Sequence, residues 1–126
     1  MQDYRKLVVW EKSHTLVLEL YRLTGDYPKE ETYALAQQIR RAASSIPMNI
    51  AEGCGRYTDS DLAHFLNMAL GSSNEVCYQI LLSKDLGYIS ADKYDEVDKT
   101  LHEIQAMLIA LINKIRNKKA LITHNS

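Results

Sequence analysis

The chain has 126 residues, with 15 Lys and Arg against 16 Asp and Glu and a formal net charge of −1. That length suits one domain, 1–126, with a core that needs no disulfide or metal staple. The charge balance argues against a protein that coats nucleic acid through bulk basicity and leaves room only for a local patch.

Five Gly and two Pro punctuate a chain rich in Leu, Ala, Ile, Glu, Lys and Gln. Such a composition favours helix, and no stretch alternates strictly enough to predict a strand. The opening segment, MQDYRKLVVWEKSH, lacks the apolar run of a signal peptide, and nothing later approaches a membrane span. The expected compartment is the cytoplasm, with Cys54 and Cys77 as reduced thiols whose spacing fits no zinc pattern. Loosely packed or disordered ends are expected near 1–6 and 119–126.

The first predicted helix runs from about Val9 to Thr24, with Leu16, Leu20 and Leu23 inward, and GDYPK ends it. The second runs from about Glu30 to Cys54, closed by Gly53 and Gly55. The third starts after Thr58, which can pair with Asp61 in a capping-box-like arrangement, and ends with Gly87 at C′. The fourth starts at the N-cap Ser90 and fades near Lys118, leaving ALITHNS as a tail. Its Val97, Leu101, Ile104, Leu108, Leu111 and Ile115 follow a coiled-coil-like spacing. Its acids come early and Lys114, Arg116, Lys118 and Lys119 come late, as the helix dipole favours. Four long helices with short connections predict an all-α, up-down-up-down four-helix bundle. Met107–Ile112, MLIALI, is apolar all round, more than one seam needs. It predicts a self-association surface, unless the tail or the N-terminal segment folds over it.

The second helix contains RRAASSIPMNIAEGCGR, Arg40–Arg56. Pro47 removes an N–H and clashes with the carbonyl of Ala43, so a kinked helix is expected; MNIAEG alone is too short to stand as a separate helix. Counting outward from the turn near residues 57 and 58 sets AASS, 42–45, opposite ALGSS, 69–73. Two runs of small residues at one level predict close approach there, with the hydroxyl of Ser72 or Ser73 reaching the Ala43 carbonyl. The same count sets Arg41 near Glu75, Asn49 near Asn67 and Glu52 near His64. Arg41, Ser45, Asn49, Glu52 and Arg56 form a polar row at helical spacing. With Ser72 and Glu75 it reads as an inter-helix or inter-subunit network that fixes register, the alternative being a ligand cleft.

Chemistry-bearing constellations fall short. Glu11-x-x-His14, Asp61-x-x-His64 and Glu52 resemble parts of a di-iron site, but the matching end of the fourth helix, 104–118, has no carboxylate. Cys54 has no sequence-defined histidine, and EGCGRYTD lacks the third glycine and preceding strand of a phosphate-binding turn. No catalytic residue, metal or cofactor is predicted. Basic residues gather as Arg40, Arg41 and Arg56 on the second helix. A second group, Lys114, Arg116, Lys118 and Lys119, lies near Arg5 and Lys6 at the start of the first. They form either a solvated, dipole-matched end or a phosphate-contact patch multiplied by oligomer symmetry.

The run Gln38–Gly53, QIRRAASSIPMNIAEG, resembles the signature of the four-helix-bundle family known as 23S rRNA-intervening sequence proteins. Val9-Trp10-Glu11-Lys12, Tyr27-Pro28, Phe65-Leu66, Ala69-Leu70-Gly71-Ser72 with Glu75, and Leu86-Gly87-Tyr88 extend the likeness from residue 7 to about 115. The resemblance implies a bundle assembling into a ring, typically a homopentamer, without known enzyme activity. A similar bundle is the accessory protein of diversity-generating retroelements, which binds nucleic acid and a reverse transcriptase through basic surface; that role would fall on Arg40, Arg41, Arg56 and the 114–119 segment. This chain departs in having Tyr33-Ala34-Leu35-Ala36 where the family often has Tyr-Gly-Leu-Thr, and in its lower net charge. The leading expectation is a non-enzymatic, cytoplasmic, ring-forming bundle that binds RNA or a ribonucleoprotein. The alternative is a protein-binding scaffold, or a reverse-transcriptase accessory, without strong nucleic-acid affinity.

Overall fold

A computed structural model describes residues 2–125, with side chains described as far as residue 118. The described residues form four α-helices and no strand: α1 Val8–Thr24, α2 Leu35–Cys54, α3 Asp59–Asp85 and α4 Ala91–Asn125. Short 3-10 turns at Tyr4–Lys6 and Lys29–Glu31 precede α1 and α2.

Local chemistry sets most boundaries. Thr58 accepts the Asp61 N–H at 3.1 Å and starts α3. Ser90 accepts the Lys93 N–H at 3.0 Å and starts α4. At the end of α3, Gly87 takes φ +81. Its N–H bonds the Lys84 carbonyl, and the Tyr88 N–H bonds that of Ser83, both at 2.9 Å. This is a Schellman closure, which glycine makes without Cβ strain.

The second helix begins at Leu35, not near Glu30. After Pro28 the chain makes a 3-10 turn, and the Glu31 carboxylate accepts the Leu35 N–H at 3.1 Å, capping α2 from four residues upstream. The N-terminal segment is docked, not loose. Gln2 donates its N–H to the Cys54 carbonyl at 2.9 Å, and the Tyr4 ring meets Trp10 edge-on at 4.9 Å. The backbone of α4 continues past the expected end at Lys118 to Asn125. The packing expected of the 119–126 tail, and the side chain of Lys119, lie outside the described residues.

The core draws on all four helices: Leu16 and Leu20, then Ile39, Ile46 and Ile50, then Leu66 and Ile80, then Leu101, Ile104 and Leu108 are almost wholly buried. On α4 the seam steps after Leu108. Ile112 is buried where Leu111 is only half-buried, because a straight helix drifts off a strict seven-residue repeat. Cross-helix contacts tie start to end. Lys12 on α1 meets Glu103 at 2.6 Å, and Glu19 meets Lys93 at the start of α4 at 3.4 Å. Lys84, late in α3, sits 4.4 Å over the Tyr94 ring early in α4.

The helix runs unbroken through the buried Pro47. Ala42, Ala43, Ala69 and Ser73 of AASS and ALGSS are buried, but Gly71 takes no part in a close approach of α2 and α3. Gly71 is exposed, and a Cβ there would meet nothing. A tight point between α2 and α3 is Gly53. A Cβ there would lie 3.0 Å from Phe65 Cβ, 3.1 Å from Leu62 Cδ1 and 3.3 Å from the Leu62 carbonyl oxygen. Neither Ser72 nor Ser73 bonds the Ala43 carbonyl. The buried Ser73 hydroxyl donates to its own helix, to the Leu70 carbonyl at 2.6 Å, and accepts from Gln105 of α4 at 3.2 Å.

Candidate functional site

The polar row on α2 forms as spaced, but its bonds run along the helix. Ser45 donates to the Ala42 carbonyl at 2.8 Å, and Asn49 Nδ2 to the Ser45 carbonyl at 2.8 Å. Glu52 holds Arg56 at 2.8 Å, a half-exposed i,i+4 pair of small energetic weight. Among the described residues no ion pair joins Arg41 to Glu75, and no side-chain hydrogen bond involves Ser72. Within the chain, no inter-helix network joins these seven residues. The reason is orientation: Arg41 and Glu75 point outward, while the α2–α3 contact is made by the apolar and small side chains beneath them. The polar cross-helix contacts lie elsewhere, among them Gln105 to Ser73, Arg40 to α1, and Lys12 and Glu19 of α1 to α4.

Arg40 is the residue whose placement most changes its reading. Its Nε donates to the buried Thr24 hydroxyl at 2.9 Å, and Nη2 donates to the Tyr21 carbonyl at 3.0 Å. Its guanidinium lies 4.8 Å over the Tyr21 ring. It therefore closes the end of α1, on the Thr24 hydroxyl and on the Tyr21 carbonyl, which also accepts the Gly25 N–H at 3.2 Å, rather than facing solvent as a phosphate contact. Thr24 gave no signal in sequence beyond ending a helix. We expect Arg40→Met to lower stability by about 1–2 kcal/mol, read by denaturant unfolding, and to leave nucleic-acid affinity unchanged.

Arg56 stacks 4.7 Å over Phe65 while paired to Glu52. Lys114, Arg116 and Lys118 are exposed, and none makes an ion pair among the described residues. Arg116 and Ile115 line an open groove of about 260 Å³ with Asp59, Ser60, Ala63, His64 and Asn67 of α3. Because α4 extends to Asn125, Lys114 and Arg116 stand well inside the helix, and Lys118 lies about two turns from its end. Dipole matching acts only within the last turn, so it does not account for them.

The residues considered for catalysis are otherwise engaged. His14 stacks on Trp10 at 5.1 Å, and His64 meets Phe65 edge-on at 5.5 Å. Burial pushes the Cys54 thiol up, and burial together with Asp98 does the same for Cys77, so both are poorer nucleophiles than an exposed cysteine. Both are free thiols. Among the described residues no group of three or more His, Cys, Asp or Glu side chains is placed to share a metal ion, and no helix is long and apolar enough to cross a membrane.

The family described as 23S rRNA-intervening sequence protein matches residues 5–110. The chain is similar to the crystal structure of a protein with unknown function from the S23 ribosomal protein family of Bacteroides thetaiotaomicron. The TM-score is 0.79 at 29% identity, covering 84% of this chain and 96% of that one. No curated protein matches.

Proposed function

The chain belongs to the 23S rRNA-intervening sequence protein family, and from that premise we propose a non-enzymatic, cytoplasmic bundle that self-associates and binds RNA or a ribonucleoprotein. The observation that carries the RNA reading is the exposed basic run Lys114, Arg116 and Lys118, without ion pairs among the described residues and without a dipole explanation. The start-to-end contacts between helices support an up-down-up-down arrangement, and the proline inside α2 favours a bend at Pro47. Assembly into a ring, five subunits being the expected number, would repeat the weak patch and bind as an array. The half-exposed Ile109 on α4 is the apolar surface offered to that closure.

A second reading, a protein-binding scaffold or reverse-transcriptase accessory with little nucleic-acid affinity, is favoured by the net charge of −1. A single-stranded RNA titration separates the two. Three phosphate contacts per chain predict roughly 20-fold weaker binding on raising salt from ~50 to ~200 mM. Reversing Lys114, Arg116 and Lys118 to Glu should abolish binding with the melting curve unchanged. No binding by the wild-type protein even at low salt would leave the scaffold.

A further inference from the structure

The α2–α3 hairpin has an outer face that no described residue of the chain covers. Met48 is 66% exposed and Met68 45%, although each sits in the middle of a long helix. Arg41 and Glu75 are exposed and unpaired with one another. Gly71 stands in the interior of α3, where glycine weakens a helix, and among the described residues nothing occupies the space a Cβ would take. A glycine with no neighbour among the described residues suits close approach from outside.

Register connects these residues. The contact of Gly53 with Leu62 and Phe65 fixes how α2 and α3 lie against each other. Counting outward from it by equal steps sets Met48 level with Met68, Ser45 level with Gly71, and Arg41 level with Glu75. Each level thus offers a complementary couple: thioether with thioether, small with small, cation with anion. A two-fold axis running along the helices, in the plane of this face, lays α2 of one copy over α3 of the other at the same level. Every couple then meets across the contact, twice.

We propose that the outer face of the α2–α3 hairpin is a two-fold contact with a second copy of this chain, in which Arg41 of each copy pairs with Glu75 of the other. The inference rests on the self-association part of the proposed function and adds to it a surface and a symmetry. A two-fold contact does not close a ring. It either makes a dimer or joins two rings face to face, and in both cases its loss halves the particle.

Particle mass by light scattering at micromolar concentration tests it. Arg41→Glu and Glu75→Arg should each halve the mass with the helical signal and its melting unchanged, and the two together in one chain should restore it. Gly71→Leu, which meets nothing within its own chain, should halve the mass without touching charge. Unchanged mass in all three single variants overturns the proposal. So does a fall in mass that the double reversal does not restore, which would mean that two different faces meet. A change in melting without a change in mass would mean that Arg41 and Glu75 pair within one chain, and also overturns it. If the wild type is a dimer and its variants monomers, the two-fold face stands and the ring falls; a monomeric wild type removes both.

Discussion

Gly53→Val is expected to destabilise the fold by about 2–3 kcal/mol, because overpacking at a fixed contact is relieved only by moving a helix. Two of the three atoms facing the missing Cβ, Phe65 Cβ and the Leu62 carbonyl oxygen, belong to or adjoin the backbone of α3. They cannot rotate away. The third, Leu62 Cδ1, is the tip of a nearly buried side chain already packed in the core. Gly53→Ala should also lose stability, by less, since its gain in helix propensity is opposed by the same contacts. Gly55, two residues further on, meets only carbonyls of its own helix at 3.5 Å or more, so Gly55→Ala is the control and should stay within about 0.5 kcal/mol of the wild type. Urea unfolding measures all three. A Gly53→Val protein as stable as the wild type would show that α2 and α3 do not meet there.

The contrast explains what the sequence made legible. Thr58, Gly87 and Ser90 announced the ends of α3 and the start of α4, because capping is local chemistry carried by one side chain and its near neighbours. The start of α2 was not legible. Its cap is the Glu31 carboxylate reaching from a preceding 3-10 turn, and a glutamate before a helix resembles a glutamate within one. Level-matching of α2 with α3 rested on counting, and the Gly53 contact agrees with it. Side-chain direction did not follow from level. Residues at one level on adjacent helices meet only if both lean into the groove, whereas Arg41 and Glu75 lean out. The same limit hid the true place of Arg40. Sequence sets it beside Arg41 in one basic pair, yet one residue is about 100° around a helix, enough to send Arg40 to α1 and Arg41 to solvent.

Within the apolar run of α4, adjacent residues should respond in opposite ways. Leu108→Ala is expected to destabilise by about 2–5 kcal/mol, because Leu108 is fully buried and its loss leaves a cavity that four packed helices cannot close. Ile109→Ala should change the stability of the isolated subunit by less than about 0.5 kcal/mol, because Ile109 is 46% exposed and alanine has the higher helix propensity. A run that is apolar on every side looks uniform in sequence, and only burial divides it into core and surface. The pair also separates folding from assembly. Chemical denaturation at low protein concentration should register Leu108→Ala alone. If Ile109 serves ring closure, its substitution should make the apparent melting temperature fall more at high protein concentration than at low, since binding stabilises the folded state by mass action. Equal losses for Leu108→Ala and Ile109→Ala at every concentration would place both side chains in the core and remove Ile109 from any contact between subunits.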